Sequence, residues 1–269
     1  MLHHERLRPP AHDYPADAWN VIEKGVHPEF LAQLESILAL GNGYLGMRGC
    51  PEEGGPNAEN VTLINGFYET RPIIYGEEAY GFAKTGQTIC NVTDSKIIKL
   101  FVDDEPFWLP NANLVNYDRR LNMRSGTLDR EILWETHAGK QVSITSRRLV
   151  SFTDRHVAAI SYCVQLLNAD ANVVISSEMA TVASGDRAAA DDPRLARGFS
   201  ARVLHPRANY SRDSRIVLCH ATEMSRLTLT CAIDHALETS CSHASKTVTS
   251  EDFGQVAFTI EAQPGWPIL

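Results

Sequence analysis

The stretch Leu38-Ala39-Leu40-Gly41-Asn42-Gly43-Tyr44-Leu45-Gly46-Met47-Arg48-Gly49 is apolar at its start, punctuated by glycines, and closed by an arginine and a glycine. Its glycines at 41, 43 and 46 match the G-x-G-x-x-G pattern of dinucleotide-binding folds, which requires a helix directly after them. Residues 50–56 contain two prolines and two glycines, so that helix has no room to form. The stretch therefore predicts two short strands joined by a tight turn.

The rest of the chain alternates short β-branched and aromatic runs with turn residues. Two hairpins are predicted around Asp103-Asp104 and around Ala138-Gly139-Lys140. Further strand candidates are residues 19–23, 61–68, 156–167, 172–177, 201–205, 215–220, 227–234 and 255–262. Many short strands separated by turn signals predict an all-β fold with little helix, a sandwich or a barrel.

The chain is expected to divide into three parts. Residues 1–18, with three prolines, predict an extended N-terminal arm, and residues 19–263 predict a single large β domain. Within that domain, residues 184–198 predict a long exposed loop. The tail ends on Trp266-Pro267-Ile268-Leu269, and such an apolar end favours a continuation. Residues 264–269 are therefore predicted to begin a linker to a further domain.

Charge and composition narrow the class of protein. The formal net charge of −8 argues against a nucleic-acid partner, which needs a basic face. No apolar run approaches the roughly 18 residues needed to cross a bilayer, and the N-terminus lacks the apolar core of a signal peptide. Six cysteines are scattered singly, which is typical of reduced thiols. A cytoplasmic protein is the expectation.

The sequence offers no catalytic constellation of its own. The histidines lack the spacing of a metal site, and no G-x-S-x-G motif is present. Glu52-Glu53, Glu77-Glu78 and Asp103-Asp104 are adjacent acidic pairs, but neighbours in a strand point to opposite faces. Each pair is predicted to be a solvated turn, and no catalytic residue, metal or cofactor is predicted.

An aromatic cluster between residues 67 and 82 has two interpretations. Flat rings beside polar groups suit sugar faces, whereas aromatic residues at strand spacing usually pack in a core. The core interpretation is the favoured one. The rings are Phe67, Tyr68, Tyr75, Tyr80 and Phe82.

Several motifs resemble the N-terminal region of glycoside hydrolase family 65, which includes maltose, trehalose, kojibiose and nigerose phosphorylases and some trehalose hydrolases. The resemblance covers about residues 19–183. Asn122 stands where the family motif Leu-Asp-Met-x-x-Gly-x-Leu usually has Asp. The matching pieces are Glu35-Ser36, the glycine-rich stretch, Glu52-Glu53, residues 116–128, Trp134 before Gly139, residues 146–151 and Asp154-Arg155-His156.

The resemblance implies a fold and a reaction. The fold is a large β-sandwich, the super-sandwich or galactose-mutarotase-like type. The resemblance also implies that the backbone is extended from about Ser36 onward. A linker and an (α/α)6 barrel follow it in the family. The barrel holds the general-acid glutamate and the phosphate site, so no catalytic residue is carried onto these 269 residues. The helical spacing of Phe30, Leu34 and Leu38 after Pro28 conflicts with extended chain at Ser36, and both interpretations stay open here.

The implied parent enzyme cleaves an α-linked glucose disaccharide with inversion, using inorganic phosphate as co-substrate and releasing β-glucose 1-phosphate. The implied partners of this domain are its own barrel, the α-glucoside and a second copy in a homodimer. A trehalose-type hydrolase, or a stand-alone carbohydrate-binding or oligomerisation sandwich, are the alternatives.

Three residues are candidates for the rim of a substrate pocket. Asn42, Tyr44 and Arg48 lie in or beside the glycine turn, where a backbone can come close to a partner. Packing of this turn against the family's barrel is the alternative, and it is favoured.

Overall fold

A computed structural model describes residues 8–77, 79–181 and 202–269. Within these ranges almost all regular structure is β, and the helical residues are a 3₁₀ turn, Pro28–Phe30, and helix α1, Leu31–Ile37. The strands are β1 (Asn20–Glu23), β2 (Leu40–Gly41), β3 (Leu45–Met47), β4 (Thr62–Pro72), β5 (Thr85–Asn91), β6 (Asp94–Val102), β7 (Glu105–Pro106), β8 (Asn113–Asn122), β9 (Thr127–Glu135), β10 (Gln141–Val150), β11 (Ala158–Leu166), β12 (Ala171–Ala180), β13 (His205–Arg212), β14 (Arg215–Ala221), β15 (Thr228–Ile233), β16 (His243–Thr249), β17 (Phe253–Ala262) and β18 (Pro267–Ile268). The prediction of an all-β fold with little helix is confirmed.

The strands divide among four antiparallel sheets in the described part of the chain. A six-stranded sheet has the order β1-β8-β9-β10-β11-β18, and a five-stranded sheet has the order β16-β17-β12-β6-β7. Two smaller sheets have the orders β13-β14-β15 and β2-β3-β4-β5. The strands thus form more sheets than the two layers of a simple sandwich.

Alternation along the strands decides which side chains are buried. In β9, Leu128, Arg130, Ile132 and Trp134 are buried, while the residues between them are more exposed. The turn after β9 contains Gly139 at φ +76°, a conformation that favours glycine, and it closes the predicted hairpin with β10.

In the described part of the chain, three buried cores connect the sheets. The largest joins side chains of the six-stranded sheet, such as Trp134 and Ile144, to side chains of the five-stranded sheet, such as Leu100 and Val173. A second core packs α1 and β2–β3 against one end of the six-stranded sheet. A third packs the β4–β5 hairpin against the three-stranded sheet, where Phe67 and Leu229 are both buried.

Residues 28–40 resolve the conflict between periodicity and resemblance. The helix predicted by the spacing of Phe30, Leu34 and Leu38 is present, and these three side chains are buried in the second core. Extended chain from Ser36 is wrong, because α1 continues to Ile37 and β2 begins only at Leu40.

The structure gives different outcomes for the predicted strand at residues 201–205, the predicted loop and the predicted linker. The strand predicted at residues 201–205 is displaced, because β13 begins at His205 and residues 202–204 are outside any strand. The predicted loop 184–198, residues 1–7 and Glu78 lie outside the described residues. In the segment predicted to begin a linker, Pro267–Ile268 pairs with β11. The domain boundaries stay a prediction.

Among the described residues, no helix has the length and apolar character to cross a membrane.

Candidate functional site

The glycine-rich stretch folds as the predicted strand–turn–strand. β2 and β3 pair through Leu40 with Met47 and Gly41 with Gly46, and Gly43 in the turn has φ +86°. The Asn42 side chain fixes the turn, because its Oδ1 accepts hydrogen bonds from the backbone N–H groups of Tyr44 and Leu45, both at 2.9 Å. The dinucleotide-binding interpretation is excluded, because residues 48–61 contain no helix.

Asn42 also fastens the turn to a distant loop. Its Nδ2 donates to the carbonyl oxygens of Ser151 and Arg155 in the loop between β10 and β11. On the same loop, the ring of His156 lies 4.5 Å from the Tyr44 ring in an edge-on arrangement. The guanidinium of Arg155 lies 5.0 Å from the Tyr44 ring centroid. Asn42 and Tyr44 therefore belong to one cluster of polar and aromatic groups.

Arg48, the third candidate, lies elsewhere. Its guanidinium donates to the Ala32 carbonyl at 3.1 Å and to Glu35 Oε2 at 3.2 Å, and it lies 3.6 Å from Glu59 Oε2. The Glu35 side chain is fully buried and also accepts the N–H groups of Ala58 and Glu59. Arg48 thus compensates a buried carboxylate, and the structure does not bring it to Asn42 and Tyr44. A substrate role for any of the three stays a prediction.

Three buried arginines form a band across the inner face of the six-stranded sheet. Arg119 of β8 stands directly opposite Arg130 of β9, and Arg130 stands opposite Ser146 of β10. Arg148 lies two residues beyond Ser146 on the same face. Each arginine side chain is at most 4% exposed. The band lies between the first and second apolar cores, so its charges need partners inside the protein.

Glu52 and Glu53 supply those partners. Arg130 makes two parallel bonds to Glu53, at 2.8 and 2.7 Å, and also lies 3.0 Å from Glu52 Oε2. Arg148 donates to Glu52 Oε1 at 2.6 Å. Both carboxylates are only 2% exposed, so the prediction that this pair is a solvated turn is wrong.

The arginines also hold the backbone that leads from the glycine stretch to Glu52. Arg119 donates to the Gly49 carbonyl, and Arg148 donates to the carbonyls of Arg48 and Cys50 at 3.3 and 3.1 Å. Residues 48–53 are not paired with a strand, so these arginine side chains provide the hydrogen bonds that the buried backbone carbonyl groups need. We call Arg119, Arg130, Arg148, Glu52 and Glu53 the buried ion network.

The buried ion network is suited to structure and not to proton transfer. Burial alone would raise the pKa of the Glu52 carboxyl, but Arg130 and Arg148 outweigh it and hold that pKa well below its ordinary value. A general acid for glycosidic cleavage needs the opposite, a raised pKa beside a substrate. At the edge of the network, burial raises the pKa of Glu23, and its neighbour Arg119 offsets this only in part.

Sequence reasoning missed this network, although a signal was present. Arg130 is in phase with the apolar residues Leu128, Ile132 and Trp134, and Arg148 is in phase with Ile144 and Val150. Arginine at an inward position of a strand calls for a buried anion.

The remaining acidic and aromatic candidates differ in how far they are buried. Asp103 and Asp104 form an exposed turn with positive φ, as predicted. Phe67 is buried in the third core, whereas Tyr80 and Phe82 are exposed and the Tyr75 and Phe82 rings lie 4.7 Å apart. The core interpretation therefore holds for only part of the aromatic cluster. Among the residues that the structure describes, no group of three His, Cys, Asp or Glu side chains could hold a metal ion.

Comparisons with known proteins agree on one family. The model of the glycosyl hydrolase family 65 N-terminal domain matches residues 21–268. The chain is similar to an uncharacterized glycosyl hydrolase of Mycobacterium tuberculosis, with 37% identity over 93% of this chain and 30% of that protein. It is also similar to the α,α-trehalose phosphorylase of Thermoanaerobacter brockii, with 35% identity over 94% of this chain and 33% of that protein.

A solved structure has the same fold. It is assigned as a kojibiose phosphorylase from the human microbiome and superimposes with a TM-score of 0.77 at 19% identity, covering 97% of this chain and 33% of that chain. The present chain thus spans about a third of the length of the proteins it matches.

Proposed function

Because this chain belongs to glycosyl hydrolase family 65 as its N-terminal domain, we propose that it is the non-catalytic domain of an α-glucoside phosphorylase. The full-length enzyme would transfer glucose from an α-linked disaccharide to inorganic phosphate with inversion, giving β-glucose 1-phosphate and a free sugar. The observation that carries the proposal is the match of 94% of this chain to one third of a trehalose phosphorylase.

The side chains described here support a non-catalytic role. Glu52 and Glu53 are engaged by buried arginines, so neither can protonate a leaving oxygen. We assign the acid and the phosphate site to the remaining two thirds of the enzyme. In this proposal the present domain supports the catalytic barrel, the pocket rim and a homodimer.

The proposed architecture is a β-sandwich. Its two layers would be the six-stranded and five-stranded sheets, since both contribute side chains to one buried core. We also propose a cytoplasmic location, which the six free cysteines support.

The test uses the native gene product. It is purified from its own cells and incubated with trehalose and with kojibiose, with and without phosphate, while β-glucose 1-phosphate is measured. We expect β-glucose 1-phosphate only when phosphate is present, and no turnover by the 269-residue chain alone.

Each other outcome identifies an alternative. Glucose release that does not depend on phosphate would identify a hydrolase. A native product of 269 residues that binds a glucoside without turnover would identify a stand-alone carbohydrate-binding protein, and self-association without sugar binding would identify an oligomerisation domain.

A further inference from the structure

Three turns meet at one end of the six-stranded sheet. They are residues 42–44, residues 123–126 between β8 and β9, and residues 151–157 between β10 and β11. Asn42 bonds the first to the third. A Cβ atom at position 126 would lie 3.5 Å from the Phe152 ring, so the second turn lies beside the third. With Trp19, whose carbonyl accepts the Met123 N–H at 2.8 Å, we call this the three-turn surface.

The three-turn surface is apolar and exposed. Phe152 is 77% exposed, Met123 and Val157 are each 51% exposed, and Trp19 is 48% exposed. Large apolar side chains gathered at one place on a protein surface mark a contact site.

Two arginines on the same surface have no anionic partner within residues 8–77, 79–181 and 202–269. Arg124 lies 4.6 Å from the Trp19 ring centroid, and Arg155 lies over Tyr44. Among the residues described here, no carboxylate pairs with either arginine. The contact site therefore suits a partner that combines apolar side chains with carboxylates.

The direction of the last strand indicates which part of the full-length protein contacts this surface. β18 runs antiparallel to β11, with Pro267 opposite Gln165 and Ile268 opposite Val164. The chain at Leu269 is thus directed toward Ala158, where β11 begins beside the three-turn surface. From Val164 to Ala158 is six residues, about 20 Å of strand.

We propose that the three-turn surface docks the domain that follows Leu269 in the full-length protein. The inference rests on the proposed function, since proteins that match this chain are about three times as long. The face of the following domain that contacts this surface presents apolar residues to Phe152 and Met123 and carboxylates to Arg124 and Arg155. In this arrangement Asn42 and Tyr44 lie at the interface of the two domains.

Two methionines provide a matched probe. Met123 lies in the three-turn surface, whereas Met224, which is 63% exposed, lies in the turn between β14 and β15. In the native full-length protein treated with dilute hydrogen peroxide, we expect peptide mass spectrometry to show oxidation of Met123 at least about fivefold slower than that of Met224. Equal oxidation rates in an enzymatically active full-length protein would overturn the docking proposal and leave the proposed function intact.

A pair of variants tests the same contact by disruption. In the full-length protein, Phe152→Asp places a charge in the interface, and we expect it to restore rapid oxidation of Met123. Tyr210→Asp is the control, because Tyr210 is 55% exposed on β13, in another sheet, and should leave Met123 protected. Protection that persists in Phe152→Asp, or that weakens on dilution as for a second copy, would overturn the proposal.

Discussion

At the scale of single residues, the arginines of the buried ion network decide the structure around the glycine stretch. Arg130 is 2% exposed and contacts both Glu52 and Glu53. Removing one partner of such a network leaves a charge buried without compensation, which costs far more than the intact network gains.

Arg130→Met is the direct test of this network. We expect the free energy of unfolding to fall by about 3–5 kcal/mol, because both carboxylates lose their shared cation. Urea unfolding of the variant and the unsubstituted chain, followed by circular dichroism, measures the difference.

The matched control is Arg147→Met, on the neighbouring strand β10. The Arg147 side chain is 64% exposed and pairs with Asp129, so its loss should cost less than about 1 kcal/mol. If both variants lose the same stability, the buried ion network does not stabilise the fold in the way its geometry indicates.

At the scale of elements, Glu69 joins the β4–β5 hairpin to the three-stranded sheet. Its carboxylate accepts hydrogen bonds from the backbone N–H groups of residues 223, 224 and 225, at 2.8, 3.1 and 2.7 Å. It also accepts one from the backbone N–H of the adjacent Thr70 at 2.7 Å. Burial opposes ionisation, yet these donors together lower the pKa of Glu69.

Glu69→Gln should loosen the turn between β14 and β15 without unfolding the chain. The amide keeps one acceptor and turns its NH₂ toward backbone donors, a loss of about 1–3 kcal/mol. Amide hydrogen exchange at residues 223–225 should therefore accelerate about ten- to a hundredfold.

Glu131→Gln provides the comparison, since Glu131 is exposed on β9. Exchange at residues 223–225 that is unchanged in Glu69→Gln, or equally fast in Glu131→Gln, would show that the Glu69 carboxylate does not hold this turn.

At the scale of the whole molecule, the shifted carboxyl groups predict sensitivity to acid. The pKa values of Glu52, Glu69 and Asp252 are lower in the folded chain than the ordinary values of 4.5 for Glu and 3.8 for Asp. As the pH falls below these ordinary values, the unfolded chain binds protons first, and the stability these groups contribute is lost. Glu23 acts in the opposite direction, because its pKa is raised and its contribution is present only at low pH.

The free energy of unfolding should therefore fall between about pH 5 and pH 2. Urea unfolding across this range should give a flatter curve for Glu69→Gln than for the unsubstituted chain, because the variant cannot titrate at that position. Parallel curves would mean that the Glu69 carboxyl has the same pKa in the folded and unfolded chains.

Local sequence determined much of this fold. Strand alternation, the turn residues at Asp103-Asp104 and Gly139, and the helical spacing of Phe30, Leu34 and Leu38 all predict what the structure contains. These signals succeed because each depends on residues within one turn or one hairpin. The family motifs in the first two thirds of the chain also identified the family that the comparisons find.

Only the tertiary structure decided the chemistry of the candidate site. Glu52 is buried because Arg130 and Arg148 come from strands about 80 and 100 residues further along the chain, paired across one sheet. Likewise, Asn42 and Arg48 are close in sequence but bind the loop at residue 151 and helix α1 respectively. A pattern along the chain fixes which face a side chain occupies, but strand pairing over long separations fixes what that face meets.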